Sequence, residues 1–304
     1  MARLIWMTKF SWTYVGDQPI KVRTFVMGHG VTRTLLKKIK YHGGQTLVNG
    51  ESAFTNRMLI KNDVVTVVLP PEPENDHVPV SDVPINIIHE DDNFLVVNKP
   101  AGVASVPSHD RLNDSLVNRV KGYYLRHQYQ NQKIHIVTRL DKDTSGLVIF
   151  AKHHFAHSVL DKQLKDHLIQ KTYLAIVAGQ IDNPHFEVYL PIGRVTDSFV
   201  KRQVVEGGKM SITEAWTAKQ LVNQTLLRIQ IHTGRTHQIR VHMSALGHPL
   251  IGDWLYNPDD ESMARQALHC AKLSFYDPFV GKWINCEAPL PVDMASYINA
   301  NKRQ

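Results

Sequence analysis

Cysteine is scarce in this chain of 304 residues, and the two that it has, Cys270 and Cys286, form no C-x-x-C motif. This scarcity argues against a disulfide framework and against a structural zinc site built from several cysteines, and it favours a reducing cytoplasm. The sequence also lacks any apolar run near the ~18 residues that a membrane-spanning helix needs, so we expect no membrane contact. The apolar part of its first residues is too short for a signal peptide, which again favours the cytoplasm.

Acidic residues are too few to balance the basic ones. The chain has 35 lysines and arginines against 28 aspartates and glutamates, a net charge of +7. All of the excess lies in residues 1–70, which carry ten basic and three acidic residues, whereas residues 71–304 carry 25 of each. Such a segment suits a polyanionic partner, either nucleic acid or an anionic membrane. The hydrophobic fraction of 43% is ordinary for a globular protein and excludes disordered and fibrous classes.

A proline-rich segment divides the chain. Residues 70–84 contain five prolines and four acidic residues with little periodicity, as expected of an extended, semi-rigid linker. We therefore predict an N-terminal domain at residues 1–70, a linker at residues 71–84 and a larger domain at residues 85–304. No internal repeat is visible, and we expect a monomer.

The N-terminal segment combines a short basic helix with a small sheet. Thr32 can cap a helix whose apolar stripe is Leu35, Leu36 and Ile39. Asn49-Gly50 suits the positive φ angles of a type I′ hairpin turn. A basic helix beside a sheet could contact RNA phosphates, although a solvated lysine face without any ligand has the same pattern. The four cations that would make these contacts are Arg33, Lys37, Lys38 and Lys40.

These pieces, in this order, resemble the S-four-like RNA-binding domain, a module named from a ribosomal protein. The resemblance covers roughly residues 11–70 and rests on Val31–Leu36, Gly43-Gly44, Val48-Asn49-Gly50 and Asn62–Val65. It departs from the family at Asn62-Asp63, where Gly-Asp is usual. The resemblance implies that this small α+β segment binds structured RNA.

Residues 85–304 mix short strands, loops and a few helices. Amphipathic patterns predict helices over His153–Leu168 and over Thr236–Leu246, the second with Thr236 as its N-cap. Because strands do not alternate strictly with helices, we predict an α+β fold with a central mixed, mostly antiparallel sheet rather than a doubly wound fold. The segments with the clearest strand patterns are Ile85–Ile88, Phe94–Val97, Ile134–Val137, Leu147–Ala151, Tyr173–Val177 and Leu226–Ile231.

Three polar segments could carry chemistry. The loop Thr138–Gly146 holds Asp141 among cationic side chains, where a carboxylate stays ionised and can act as a covalent nucleophile, although a plain polar turn has the same composition. A second segment runs from a strand through a glycine turn into a helix and places His237 and Arg240 on one face. The third places Tyr173 in a strand, where core packing is the ordinary role of tyrosine.

The second segment also raises the question of a metal site. Its three histidines, His232, His237 and His242, are spaced by five residues, which puts the last two on opposite sides of a helix. No acidic ligand lies nearby in the sequence. We therefore predict no metal site.

Taken in order, these segments resemble RluA-type pseudouridine synthases. The resemblance runs from about residue 86 to residue 290 and rests on Arg139-Leu140-Asp141 with Thr144-Ser145-Gly146, on Lys171-x-Tyr173 and on Thr233–Arg240. Thr138 departs from the pattern, since the family commonly has histidine before Arg-Leu-Asp, and the neighbouring loop could be placed slightly differently. Further matching segments are Asn98–Gly102, Gly247–Asp253 and Leu268-His269.

The resemblance implies an isomerase that converts uridine to pseudouridine in structured RNA without metal, cofactor or redox step. It implies that Asp141 is the nucleophile, that Arg240 pairs with its carboxylate, that Tyr173 lies against the target base and that Arg139 helps to hold that base out of the helix. Extrusion is needed because neither attack site can be reached in a stacked duplex. The two-domain layout favours large-subunit ribosomal RNA as the substrate, with transfer RNA as the alternative.

Two other classes fit parts of the pattern. A catalytically inactive RNA-binding ribosome-assembly factor would be expected to lack Asp141 or Arg240, and both are present. A glycosidase would need two paired acids, one of them protonated, and the spacing of Asp141 and Asp143 does not define such a pair.

Overall fold

The computed structural model describes residues 8–73, 77–107, 113–196, 198 and 200–303. The helices in this part of the chain are α1 (Val22–Gly28), α2 (Arg33–Tyr41), α3 (Leu116–Arg126), α4 (His154–Lys165), α5 (Gln238–Ala245) and α6 (Val292–Ala300). The strands are β1 (Lys9–Thr13), β2 (Ile20–Lys21), β3 (Gln45–Val48), β4 (Glu51–Ser52), β5 (Met58–Leu59), β6 (Val64–Val68), β7 (Asn86–Glu90), β8 (Phe94–Lys99), β9 (His135–Ile136), β10 (Ser145–Ala151), β11 (Gln170–Ala178), β12 (His185–Arg194), β13 (Arg202–Val204), β14 (Lys209–Gln220), β15 (Gln224–Ile231), β16 (Leu268–Asp277) and β17 (Lys282–Glu287).

The first six strands and two helices form a small unit. Strands β1, β6, β3 and β4 pair in that order, and β2 pairs with β5. As predicted, the Thr32 side chain caps α2 by accepting a hydrogen bond from the backbone N–H of Leu35, and the apolar stripe of the helix is buried. Asn49 and Gly50 form the predicted turn between β3 and β4, with φ angles of 54° and 84°.

The apolar core of this unit continues into the larger part of the chain. Phe155 and Val159 of α4 are buried in the same cluster as Leu35 of α2. The ring of Phe10 in β1 lies 5.0 Å from that of Phe155 and 4.8 Å from that of Phe279, measured between centroids. The expected boundary at residue 70 therefore separates two sheets that share part of one core.

The described residues of the proline-rich segment have no regular secondary structure and are packed against α3. Lys121 and Asn118 donate hydrogen bonds to the backbone carbonyls of Val78 and Pro79. The side chain of Ser81 is buried. The segment is therefore extended but anchored to the larger part of the chain.

The larger part is built on one eleven-stranded sheet. Its main path is β13-β12-β14-β15-β11-β16-β10-β8-β7, with β17 on β16 and β9 on β10. The pairing of β10 with β16 is parallel and its other pairings are antiparallel, which confirms the predicted mixed, mostly antiparallel sheet. At the parallel pair Gly146 has a φ of 114°, and a Cβ there would lie 2.3 Å from the Cys270 carbonyl oxygen, so only glycine fits.

Helix α5 begins one residue later than predicted, so the assignment of Thr236 as its N-cap is wrong. The N-cap residue is His237, which has a φ of 58° and makes no side-chain cap hydrogen bond. Instead, the Oε1 atom of Gln238 accepts hydrogen bonds from the backbone N–H of Arg235 and from the Thr233 hydroxyl. These bonds stabilise the predicted turn ahead of the helix, and the sequence pattern gave no sign of this role of Gln238.

Helix α4 is shorter than predicted, because His153 is its N-cap and Asp166 its C-cap. The apolar pattern predicts that Ala156, Val159, Leu160 and Leu164 face inward; the first three are buried, and Leu164 is half-buried. None of the described helices combines the length and the apolar character needed to cross a bilayer.

Candidate active site

Asp141 lies in the turn between β9 and β10, at the edge of the sheet. The backbone N–H of Thr144 donates to the Asp141 carbonyl at 3.1 Å, which closes the turn. One residue earlier, the Ser105 hydroxyl donates to the Leu140 carbonyl at 2.6 Å and accepts from the Leu140 N–H at 3.0 Å. The backbone on both sides of Asp141 is therefore fixed by hydrogen bonds.

Lys99 supports the same turn from inside the protein. Its side chain is fully buried, and its Nζ donates to three backbone carbonyl oxygens, one of them that of Lys142 at 2.8 Å. Burial lowers the pKa of Lys99 to about 7, although the nearby carboxylates of Asp143 and Asp141 favour the charged form. The sequence placed Lys99 in a matching segment but suggested no role for it.

Arg240 reaches the site from α5 and touches two carboxylates. Its Nε and Nη2 donate to Asp253 at 2.7 Å each, and its Nη1 lies 3.3 Å from Oδ2 of Asp141. The side chain of Arg240 is 4% exposed and that of Asp253 is 0% exposed. Although burial disfavours the charged guanidinium, the hydrogen bonds and charge of Asp253 raise the pKa of Arg240 above its usual value.

His237 and Tyr256 complete this group of polar side chains. His237 Nε2 lies 3.9 Å from Oδ2 of Asp141, and its Nδ1 lies 3.1 Å from the Tyr256 hydroxyl. The guanidinium of Arg240 lies 5.0 Å from the centre of the Tyr256 ring. Burial lowers the pKa of His237 although the charge of Asp141 opposes it, so the imidazole is neutral at pH 7. Sequence reasoning placed His237 beside Arg240 but gave no signal for Tyr256.

A cavity of about 530 Å³ opens over these side chains. That volume is within the range of small-molecule sites. Leu164, Ile231 and Leu268 supply apolar parts of its wall. All four residues predicted to carry the chemistry line this one cavity: Asp141, Tyr173, Arg240 and Arg139.

Two of these residues differ sharply in exposure. Arg139 is exposed, whereas Tyr173 of β11 is 5% exposed. Burial, with a smaller effect from Cys270 and Asp141, raises the pKa of Tyr173 well above its usual value. The cavity therefore contains a protonated phenol at neutral pH, which can stack on a base and donate a hydrogen bond.

The four cations predicted to contact RNA do not share one environment. Arg33, Lys37 and Lys40 are exposed on α2. Lys38 is half-buried, and its Nζ lies 3.5 Å from Nε2 of His154 in α4. Three of the four cations are therefore open to a polyanion, and the fourth faces the larger part of the chain.

The three histidines considered as metal ligands point to different surroundings. His232 Nε2 lies 2.9 Å from Glu214, His237 faces Asp141, and His242 is fully buried. In the described residues, two other groups bring possible ligand atoms within 4.8 Å of one another, and neither lines the cavity. They are His135 with His154 and His157, and His185 with Glu187 and Glu214.

Known proteins resemble this chain in sequence over most of its length. The family model for RNA pseudouridylate synthase matches residues 93–245. The RNA pseudouridine synthase YjbO of Bacillus subtilis is 39% identical over 269 residues, which cover 88% of this chain and 95% of that protein. The chain belongs to the RNA pseudouridylate synthase family. It is therefore an RNA pseudouridine synthase, an isomerase, and the family predicted from its motifs is confirmed.

Two further members of the family extend the comparison. Ribosomal large subunit pseudouridine synthase D of Zymomonas mobilis is 38% identical over 250 residues, covering 76% of this chain and 77% of that protein. The solved structure of human RNA pseudouridylate synthase domain containing 1 matches with a TM-score of 0.58 and 25% identity, covering 69% of this chain and 85% of that one. The predicted pseudouridine synthase fold is thereby confirmed.

Proposed function

We propose that this synthase converts a uridine of large-subunit ribosomal RNA to pseudouridine, with Asp141 as the nucleophile. The observation that carries the proposal is the position of the Asp141 carboxylate, which is 25% exposed to the cavity and 3.3 Å from the Arg240 guanidinium. Several relatives, among them the Zymomonas mobilis protein, are named for the large ribosomal subunit, which supports this choice of RNA.

The reaction breaks the bond between uracil N1 and ribose C1′ and forms one between C5 and C1′. Asp141 attacks either the uracil ring or C1′, and the base turns before the new bond forms. At the end C5 loses its proton, N1 carries a proton in its place, and the carboxylate is released unchanged. Uridine and pseudouridine are isomers, so no other reactant is consumed.

The neighbouring side chains suit the other roles that this reaction needs. The guanidinium of Arg240 supplies a positive charge beside the reacting carboxylate. The buried ring of Tyr173 offers a flat apolar surface for uracil, and its protonated hydroxyl is a hydrogen-bond donor. Arg139 is exposed in the lining of the cavity and would help to hold the target base out of the helix.

We propose further that residues 1–70 are an S-four-like domain that anchors the enzyme on structured RNA. The open cations of α2 would supply affinity that does not depend on base sequence, while the cavity selects the uridine. Substitution is a better test than truncation here, because removing the domain would expose Phe155 and Val159.

The test of the nucleophile is Asp141→Asn, with Asp143→Asn as the matched control. Asp143 belongs to the same turn but does not line the cavity. We expect Asp141→Asn to fold and bind RNA but to form no pseudouridine in large-subunit ribosomal RNA transcripts, while Asp143→Asn remains within about tenfold of wild type. Substantial conversion by folded Asp141→Asn would refute the assignment. Conversion of transfer RNA instead would keep the mechanism and change the substrate.

A further inference from the structure

A second concave surface lies beside the catalytic cavity, and we call it the cationic groove. It has a volume of about 440 Å³ and is bordered by β12, by the segment from β13 to β14 and by the loop before α5. None of the described residues that line it is acidic. Its charged residues are Arg194, Arg202, Lys209 and Arg235.

Three of these four charges make no ion pair within the described part of the protein. Arg194, Lys209 and Arg235 are exposed, and the ion pairs found in the described residues include none of the three. Arg202 is held differently, since its Nη1 lies 3.2 Å from the carbonyl oxygens of Val200 and Lys201. Repulsion among four cations in one small groove is costly unless an anion lies between them.

Two of the glycines that line the groove differ in their surroundings. A Cβ at Gly208 would lie 2.8 Å from the backbone of Ile192, so glycine is needed there for the strands to approach. A Cβ at Gly234 would meet no atom within 4 Å, so neither packing nor a positive φ requires glycine at that position. Gly234 leaves empty space at a point that borders both the groove and the cavity.

The groove and the catalytic cavity lie side by side and share part of their lining. Gly234, Arg235 and Thr236 line both of them. The Tyr256 hydroxyl accepts from the Arg202 N–H and donates to the Arg202 carbonyl at 3.0 Å each. The same hydroxyl lies 3.1 Å from His237, which faces Asp141. A polymer whose reacting nucleotide fills the cavity would therefore extend directly into the groove.

We propose that the cationic groove binds backbone phosphates of the RNA strand next to the target uridine. This inference rests on the proposed function, because it takes RNA as the substrate. Four cations and several glycines, with no acidic residue among the described lining residues, fit a phosphodiester chain, which is recognised by charge rather than by base sequence. The groove would hold the flanking strand while the base occupies the cavity.

The first test removes two of the charges with Arg194→Gln/Lys209→Gln. Both substitutions are introduced into the Asp141→Asn protein, so that binding is measured without turnover. The RNA is a large-subunit ribosomal transcript. We expect affinity to fall about tenfold and the slope of log affinity against log salt to become shallower by roughly 1–2. The control pair Lys282→Gln/Lys302→Gln removes two exposed charges outside the groove. The proposal would be overturned if the groove pair and the control pair gave the same slope of log affinity against log salt. It would also be overturned if Asp141→Asn protein without further substitutions did not bind the RNA.

The second test locates the phosphates. A synthetic stem–loop carrying the converted uridine is made with one neutral methylphosphonate linkage at a time on either side of that uridine. We expect at least one neutral linkage to weaken binding to the parent protein but to have little further effect on Arg194→Gln/Lys209→Gln, as a direct contact requires. The proposal would be contradicted if, at every linkage, the loss of binding affinity from the neutral linkage simply added to the loss from Arg194→Gln/Lys209→Gln. Failure of the proposed function is seen separately, as no conversion by wild-type enzyme.

Discussion

Arg240 contacts its two carboxylates in different ways. With Asp253 it makes two 2.7 Å hydrogen bonds in the interior, and with Asp141 it makes one 3.3 Å contact at the cavity. Bidentate pairing fixes both the position and the orientation of a guanidinium. Asp253 therefore positions the charge, while the Asp141 carboxylate stays partly exposed in the cavity.

Asp253→Asn tests this division of roles. We expect kcat to fall by about 10–100-fold and the free energy of unfolding to fall by about 3 kcal/mol, because a buried guanidinium loses its charged partner. Initial rates at saturating RNA and urea unfolding measure the two effects. Asp259→Asn, an exposed carboxylate in the same loop, should change neither. A folded Asp253→Asn enzyme with wild-type kcat would show that Asp253 does not position Arg240.

At the scale of single residues, the sequence predicted the residues that line the cavity better than those that support it. Asp141, Tyr173 and Arg240 were found from the order of three motifs. Asp253 was part of a matching segment but had no assigned role. It lies 13 positions after Arg240 in the sequence, and the two side chains meet only because the chain turns back after α5. The contact of Tyr256 depends on the same turn and leaves no local pattern.

Glu72 connects the proline-rich segment to two other elements. Its side chain is 12% exposed and accepts hydrogen bonds from His135 at 2.8 Å, from Asn131 at 2.9 Å and from the backbone N–H of His154 at 2.8 Å. Burial by itself would raise its pKa, but these donors lower the pKa of Glu72 to about 2. One carboxylate therefore ties this segment to α4 and to the chain around β9.

This contact predicts a dependence of stability on pH. The folded-state pKa of about 2 lies below the ordinary value of 4.5, so the stabilisation is fully present above about pH 4.5 and is lost as pH falls through about 2. We expect Glu72→Gln to lower the free energy of unfolding at pH 7 by up to about 3 kcal/mol. Between about pH 4.5 and 2, the free energy of unfolding should decrease less steeply with falling pH in Glu72→Gln than in wild type. Urea unfolding across that pH range measures both, with Asp82→Asn, a 90% exposed carboxylate in the same segment, as control. Parallel pH profiles for wild type and Glu72→Gln would contradict the assignment.

At the scale of elements, strong local signals predicted α2, its cap and the β3–β4 hairpin. Strands β12 and β14 were not predicted, because their outward positions carry large or charged side chains that hide the alternation, such as Tyr189 and Trp216. The start of α5 was misplaced because hydrogen bonds of the Gln238 side chain, rather than a capping residue, determine it.

On the scale of the whole molecule, the positive charge of residues 1–70 is presented on a unit that shares its core with the catalytic part. The contact between Phe10 and Phe279 joins residues at opposite ends of the sequence. No sequence pattern could show such a contact, so the sequence suggested a linker between independent domains. The shared core implies that α2 is kept at a fixed distance from the cavity.

The contribution of α2 to RNA binding can be measured with Arg33→Gln/Lys37→Gln/Lys40→Gln. We expect affinity for large-subunit ribosomal RNA to decrease and its salt slope to become shallower by up to about 3, while kcat at saturating RNA stays near wild type. Lys282→Gln/Lys302→Gln again serves as the control. A slope no shallower than that of the control would show that α2 does not contact the RNA.

The central claim is that Asp141 enables this protein to convert a uridine of ribosomal RNA to pseudouridine. Its most direct test is chemical mapping of pseudouridine across total RNA from cells that lack the gene and carry either the wild-type or the Asp141→Asn copy. We expect one or more uridines of large-subunit ribosomal RNA to be modified with the wild-type copy and unmodified with Asp141→Asn at equal protein level. The same modification with both copies would contradict the account.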